Sequence, residues 1–142
     1  MQRHLGALLG LALVLAGCAT VSPTTSFVQS SAPTDNSVIA SNVADFLRTE
    51  LPPAKTTLVI APSATGDQAL LAQLGETLRR DGFAIAESGS GAVAQPLRLL
   101  VTPLYTGFVV RIDYGSSEAG TYFGRDTSGQ LQASSPFVRR EV

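Results

Sequence analysis

The sequence predicts an α+β fold: a two-layer sandwich in which two helices pack on a mixed sheet of five to six strands, with a C-terminal antiparallel meander. Three observations predict it. Two segments carry apolar residues at helical spacing of three to four. One of them lies between two short β-rich runs, as a β–α–β unit requires. After residue 96 the apolar period changes from helical to two.

The elements follow in chain order. Residues 1–17 (MQRHLGALLGLALVLAG) carry one Lys/Arg, Arg3, with His4 beside it, and then an apolar run from Leu5 to Leu15. That run is shorter than the roughly 20 residues needed to span a bilayer. It matches the h-region of a secretory signal peptide. Leu15-Ala16-Gly17-Cys18 resembles a bacterial lipobox, in which small residues fit a narrow peptidase site and the cysteine sulfur is the nucleophile that takes diacylglycerol. The new α-amino group is then open to acylation. One acyl chain binds a membrane only marginally, whereas two or three hold it firmly. Ala19 stands where an Asp would favour retention at the inner membrane, so the outer membrane is the expected destination.

Residues 18–37 are expected to form the lipidated cysteine and a flexible tether. Nine of residues 19–37 are Ser or Thr, two are Pro, and Asp35 alone is charged. Fully extended, that tether reaches about 60 Å. Phe27 and Val28 interrupt it, as a short docking motif or as incidental apolar residues in coil. The domain proper is expected over 38–142. Ile39, Val43, Phe46, Leu47 and Leu51 mark the first helix, with Ser37 or Ser41 as its cap and Pro52-Pro53 as its stop. Thr56–Ala61 reads as a central strand. Asp67 is placed to cap a second helix with Leu70, Leu71, Leu74 and Leu78 on one stripe, and Gly82 to end it. Phe83–Glu87 is a short strand, which completes a parallel β–α–β unit of about 30 residues. Residues 88–96 form a loop. Leu97–Leu104 and Phe108–Tyr114 alternate as a hairpin around Thr106-Gly107, and Gly115-Ser116-Ser117 turns the chain into Gly120–Arg125 and Gly129–Ala133. Phe137–Glu141 is a last strand or an extended tail. The helices cover one sheet face, and the other carries Arg98, Arg111, Asp113 or their neighbours.

Composition excludes much chemistry. Beyond Cys18 there is no His, Cys, Met or Trp, so neither a Ser–His–Asp or Cys–His arrangement nor a His/Cys zinc site has its residues. All 11 acids and nine of the ten Lys/Arg residues lie beyond residue 17, and this slight acidic excess lacks the basic footprint of a nucleic-acid binder. Ser63–Asp67 leads into a helix N-terminus but has one Gly and no Lys, so it reads as a capped connection rather than a phosphate loop. Ser88-Gly89-Ser90-Gly91 reads as a solvated loop. Asp113, Glu118 and Asp126 sit near successive turns, as a weak cation site or carboxylate pair, or more simply as turn formers. Arg139-Arg140 is a basic spot for a partner's acid or a lipid phosphate, or a solvated tail. Tyr105, Phe108, Tyr114, Tyr122, Phe123 and Phe137 gather in the meander; most belong to the core, and one or two exposed ones would mark a protein contact.

Taken together, the lipobox, Leu51-Pro52-Pro53-Ala54-Lys55-Thr56, the helix closing on Leu78-Arg79-Arg80-Asp81-Gly82-Phe83-Ala84, and the ending Phe137-Val138-Arg139-Arg140-Glu141 resemble the TrbH family of conjugal-transfer lipoproteins over roughly residues 40–141. The resemblance implies a part in the mating-pair-formation apparatus, a type IV secretion system that transfers plasmids between Gram-negative bacteria. It implies an outer-membrane lipoprotein facing the periplasm, which helps stabilise the envelope complex, with Cys18 as its lipidation site. Its partners would be the membrane, through the anchor, and protein subunits of the secretion core complex, with no direct nucleic-acid contact and no small-molecule substrate. No catalytic, cofactor-binding or metal-binding residue is expected, and no enzyme activity. The alternatives are a lipoprotein adaptor of another envelope assembly or transport system, and a periplasmic enzyme acting through carboxylates.

Overall fold

A computed structural model describes residues 25–29, 31–65, 67–88 and 90–142. Residues 1–17, expected to be a signal peptide, and Cys18, the expected lipidation site, lie outside the described residues. The chain runs β1 (Phe27–Val28), α1 (Pro33–Glu50), a 3-10 turn (Pro53–Lys55), β2 (Thr57–Ile60), α2 (Ala69–Arg80), β3 (Ala84–Ala86), β4 (Gln95–Leu104), β5 (Gly107–Tyr114), β6 (Ser117–Arg125), β7 (Leu131–Ala133) and β8 (Val138–Glu141). The sheet order is β3-β2-β4-β5-β6-β7; β1 joins the β2 side of β4, and β8 continues the β7 edge along β6. The α+β sandwich is as predicted, with eight strands among the described residues rather than five or six.

Both helices bury their predicted stripes. Ile39, Val43 and Leu47 of α1 and Leu70, Leu74 and Leu78 of α2 are fully buried. They meet Leu97, Leu99 and Val101 of β4, Val110 and Ile112 of β5, and Phe123 of β6, the inward residues of period-two strands. β2 pairs in parallel with both β3 and β4, which makes it the central strand that its continuous apolar run predicts. Phe46 ties the helix layer to the meander, with its ring centroid 5.9 Å from Tyr114 and 4.9 Å from Phe137. Gly82 follows α2 at φ 98, as its predicted capping role requires.

Four local readings change. First, residues 25–29 are not tether: they are stitched into the sheet. Ser26 is completely buried; its Oγ donates to Ala61 O (2.8 Å) and accepts from Leu99 N (3.0 Å). Val28 fills the core, and Arg98 Nε donates to Thr25 O at 2.7 Å. Second, α1 begins at Pro33, not near Ser37. Proline suits the first helical turn because its missing N–H would be unpaired there anyway. Asp35 is buried because Arg125 meets it, with Nη2 2.7 Å from Oδ2 and Nη1 3.1 Å from Oδ1. Third, α2 is capped from Asp67, whose Oδ1 accepts from Ala69 N at 3.1 Å, although the boundary residue is Gln68. Fourth, the β4–β5 turn is Tyr105-Thr106, and Gly107 is already paired in β5 opposite Leu104. β6 likewise begins at Ser117, so the preceding turn is only Gly115-Ser116.

Candidate interaction surface

Alternation along the meander sends one set of residues into the helix layer and the other onto an open sheet face. The open set is Arg98, Leu100, Thr102 and Leu104 of β4; Val109, Arg111 and Asp113 of β5; and Glu118, Gly120 and Tyr122 of β6. The face has two halves, one charged and one apolar.

The charged half is a cross-strand ladder. Arg98 Nη1 lies 2.7 Å from Asp113 Oδ2. Arg111 Nε stands 3.6 Å from Asp113 Oδ1 and 3.9 Å from Glu118 Oε2, and Arg140 Nη2 lies 2.9 Å from Glu118 Oε1. Asp113 and Glu118 are therefore engaged by arginines rather than poised as an acid–base pair. Asp126 is apart from them: its Oδ1 accepts from Ser128 Oγ, Ser128 N and Gln130 N, and these bonds hold its carboxyl below the usual range. Among the described residues no three His, Cys, Asp or Glu side chains are grouped to hold a metal ion.

Arg139 turns to the helix side, where Nη1 reaches Glu50 Oε2 at 3.1 Å and Nη2 reaches Glu141 Oε1 at 3.2 Å. Tyr114 donates its hydroxyl to the same Glu50 oxygen at 3.1 Å. Burial, with the Glu50 hydrogen bond and charge added, pushes the Tyr114 phenol up to about 12 against the opposing charge of Arg139. Above pH 10 the unfolded chain ionises this tyrosine while the folded chain keeps the proton. Stability is therefore whole below pH 10 and falls as pH rises toward 12. Urea unfolding across that window is expected to show this slope, and Tyr114→Phe is expected to remove it.

The apolar half lies toward the β4–β5 turn. Phe27, Leu104 and Val109 are each about two-fifths exposed, and Tyr105 at the tip is 93% exposed. Tyr105 also has φ 55, the left-handed region that non-glycine residues avoid. The hairpin is braced: Tyr122 Oη donates to Leu104 O (3.2 Å), and Arg125 Nε donates to Thr106 O (2.9 Å). This places an aromatic ring, with a strained backbone, on a fixed support where the rest of the domain makes little use of it. Of the six meander aromatics, Phe108, Tyr114 and Phe123 are core, Phe137 and Tyr122 are half-buried, and Tyr105 is the exposed one.

The Ser63–Asp67 connection serves the fold. Thr65 Oγ1 donates to Val28 O (2.6 Å) and Ala64 N to Ser26 O (2.8 Å), so this loop clamps β1. A cleft of about 400 Å³ beside the start of α1 is lined by Thr34, Asp35, Val38, Arg125 and Gly129, with its buried carboxylate already neutralised by Arg125. No described helix is long and apolar enough to cross a membrane.

No curated protein and no solved structure is significantly similar to the chain. A family model described as conjugal transfer protein TrbH matches residues 21–141, a span that takes in β1 and the whole domain. By that match the chain belongs to the TrbH family of conjugal transfer proteins.

Proposed function

We propose that this conjugal transfer protein is an outer-membrane lipoprotein subunit of the mating-pair-formation apparatus, a type IV secretion system, and that it assists the assembly or stability of the envelope complex. The observation that carries the reading is the family match over nearly the whole mature chain, with Leu15-Ala16-Gly17-Cys18 directly upstream of it. Cys18 is the lipid attachment site, residues 1–17 are the signal removed before it, and the domain faces the periplasm. It acts by binding rather than by catalysis: the carboxylates of the open face are held in ion pairs, and the exposed feature is a braced aromatic hairpin. That hairpin and the apolar half of the open face are the surface for a protein subunit of the complex.

Cys18→Ser tests the anchor. The variant is expected to leave the outer-membrane fraction and to lower DNA transfer to the level of a strain lacking the protein. A variant that stays on the outer membrane and transfers DNA normally would overturn the reading.

A further inference from the structure

β8 pairs with β6 on one side and forms an open sheet edge on the other. Val142 N donates to Ser116 O at 3.0 Å. In an antiparallel pair the backbone groups of Val142, Arg140 and Val138 therefore turn toward β6, and those of Arg139 and Glu141 turn outward. Among the described residues no backbone partner reaches these outward groups. The side chains alternate as well. Val138, Arg140 and Val142 continue the open face, where Arg140 meets Glu118, while Arg139 and Glu141 lie on the helix side. Val138 is 73% exposed and Val142 80%.

Open edges are usually guarded. Beyond β1, the edge of β4 is guarded by proline: Gln29 N donates to Val101 O at 3.1 Å, so the next outward residue is Pro103, which has no N–H to offer. β3 and β7 are only three residues long. β8 has neither guard. In place of charges of one sign it carries Arg139, Arg140 and Glu141 between two exposed valines.

The order Val-Arg-Arg-Glu-Val complements itself when two copies run antiparallel about Arg140. Arg139 then stands opposite Glu141 of the second copy, and Glu141 opposite its Arg139. These are the hydrogen-bonded pairs, so the outward N–H and C=O groups of both strands are satisfied. Val138 opposite Val142, and Arg140 opposite Arg140, are the non-hydrogen-bonded pairs, in which side chains come closest. Each Arg140 keeps Glu118 of its own chain at 2.9 Å, which offsets the like charge at the centre. Sliding by two residues either way sets Arg139 against Arg139 or Glu141 against Glu141, which is unfavourable.

We infer that β8 is the interface for a second copy of this chain, pairing about Arg140 to join two sheets into one across a two-fold axis. The base of the Tyr105 hairpin pairs at Phe123, where β7 rather than β8 lies beside β6, so the two surfaces do not overlap. The pairing needs neither Cys18 nor the hairpin.

The test is oxidative cross-linking of the full chain in cells. Arg140→Cys places a thiol opposite its own copy with Cα atoms about 4.5 Å apart, within disulfide reach. Gln132→Cys, exposed on the same face of β7, is the control. The linked peptide is read by mass spectrometry, so that a link through Cys18 is not counted. Expected is at least several-fold more 140–140 link than 132–132 link. In the Arg140→Cys background, Glu141→Arg and Arg139→Glu are each expected to lower the link several-fold, and co-expression of the two, differently tagged, to restore it between them. Glu141 is 81% exposed in its side chain, so its reversal spares the fold, and the mixed pair shows that Arg139→Glu, which also loses Glu50, still folds. A 140–140 link no stronger than the control, one that ignores Glu141→Arg, or a mixed pair that fails to restore it overturns the interface.

Discussion

Replacing Gly107 by alanine is expected to lower the stability of the domain by about 3 kcal/mol or more, at the upper end of what overpacking a filled site costs. A Cβ at this position would lie 1.9 Å from Phe123 O, 2.8 Å from Tyr122 Oη and 3.0 Å from Phe123 C. Two of those atoms belong to the backbone of the neighbouring strand, so no rotamer change relieves the clash. β5 and β6 would have to separate where Phe108 pairs with Phe123. That opening would pull at Phe123, a fully buried side chain that packs on Phe137 with ring centroids 6.4 Å apart. It would also disturb the Tyr122 bond that braces the hairpin. For a domain of this size a loss of that order lowers Tm by about 10 °C. Thr106→Ala, one residue earlier on the exposed turn, is the control and is expected to stay within about 0.5 kcal/mol of the parent. Urea unfolding of the three proteins checks both. If Gly107→Ala unfolds at the parent midpoint, the strands approach less closely than described and the hairpin is not rigid.

Gly107 also shows where sequence reading reaches its limit. A glycine between two alternating runs is a turn signal, and Thr106-Gly107 was the natural place for the turn. The glycine is instead required by a contact with residues 122 and 123, which no local pattern announces. The long periodic segments were legible for the opposite reason. The stripes of α1 and α2, the parallel β–α–β unit and the inward residues of β4 and β5 each repeat a local spacing that burial then uses. β1 has two residues and no period. Ser26 reads as a tether serine until Ala61 and Leu99 are known to meet its hydroxyl, and Asp35 reads as a coil carboxylate until Arg125 meets it from 90 residues away. The Ser/Thr composition of 19–37 therefore concealed a strand and the first turn of a helix. The candidate interaction surface was legible only in kind. An exposed aromatic in the meander was expected, but Tyr105 could be singled out only once its five companions were placed.

Tyr105→Gly separates stability from function, and its effect on DNA transfer is expected to be the larger of the two. Holding an L-residue in the left-handed region costs about 1–2 kcal/mol. Glycine adopts it freely but adds roughly 0.5–1 kcal/mol of unfolded-chain entropy. The balance leaves the variant as stable as the parent or slightly more so. A residue that strains its own backbone, stands 93% exposed and serves no core contact is retained at a cost to the fold. The positive φ is what the first position of a two-residue hairpin turn asks for; a tyrosine there instead of a glycine is what a contact outside the domain would account for. A buried aromatic anchor at a protein interface is typically worth about 2 kcal/mol or more, which is more than tenfold in affinity. Transfer frequency is therefore expected to fall at least about tenfold in Tyr105→Gly at equal protein level, whereas Tyr105→Phe, which keeps the ring, is expected to retain most of it. The measurement is a mating assay beside a strain lacking the protein, with urea unfolding of the purified domains. Normal transfer by Tyr105→Gly would remove the hairpin from the interaction surface and leave its strain without a function. A stable fold with lost transfer would make Tyr105 the residue through which the domain engages its partner, at the end of the sheet opposite the one from which the chain enters β1.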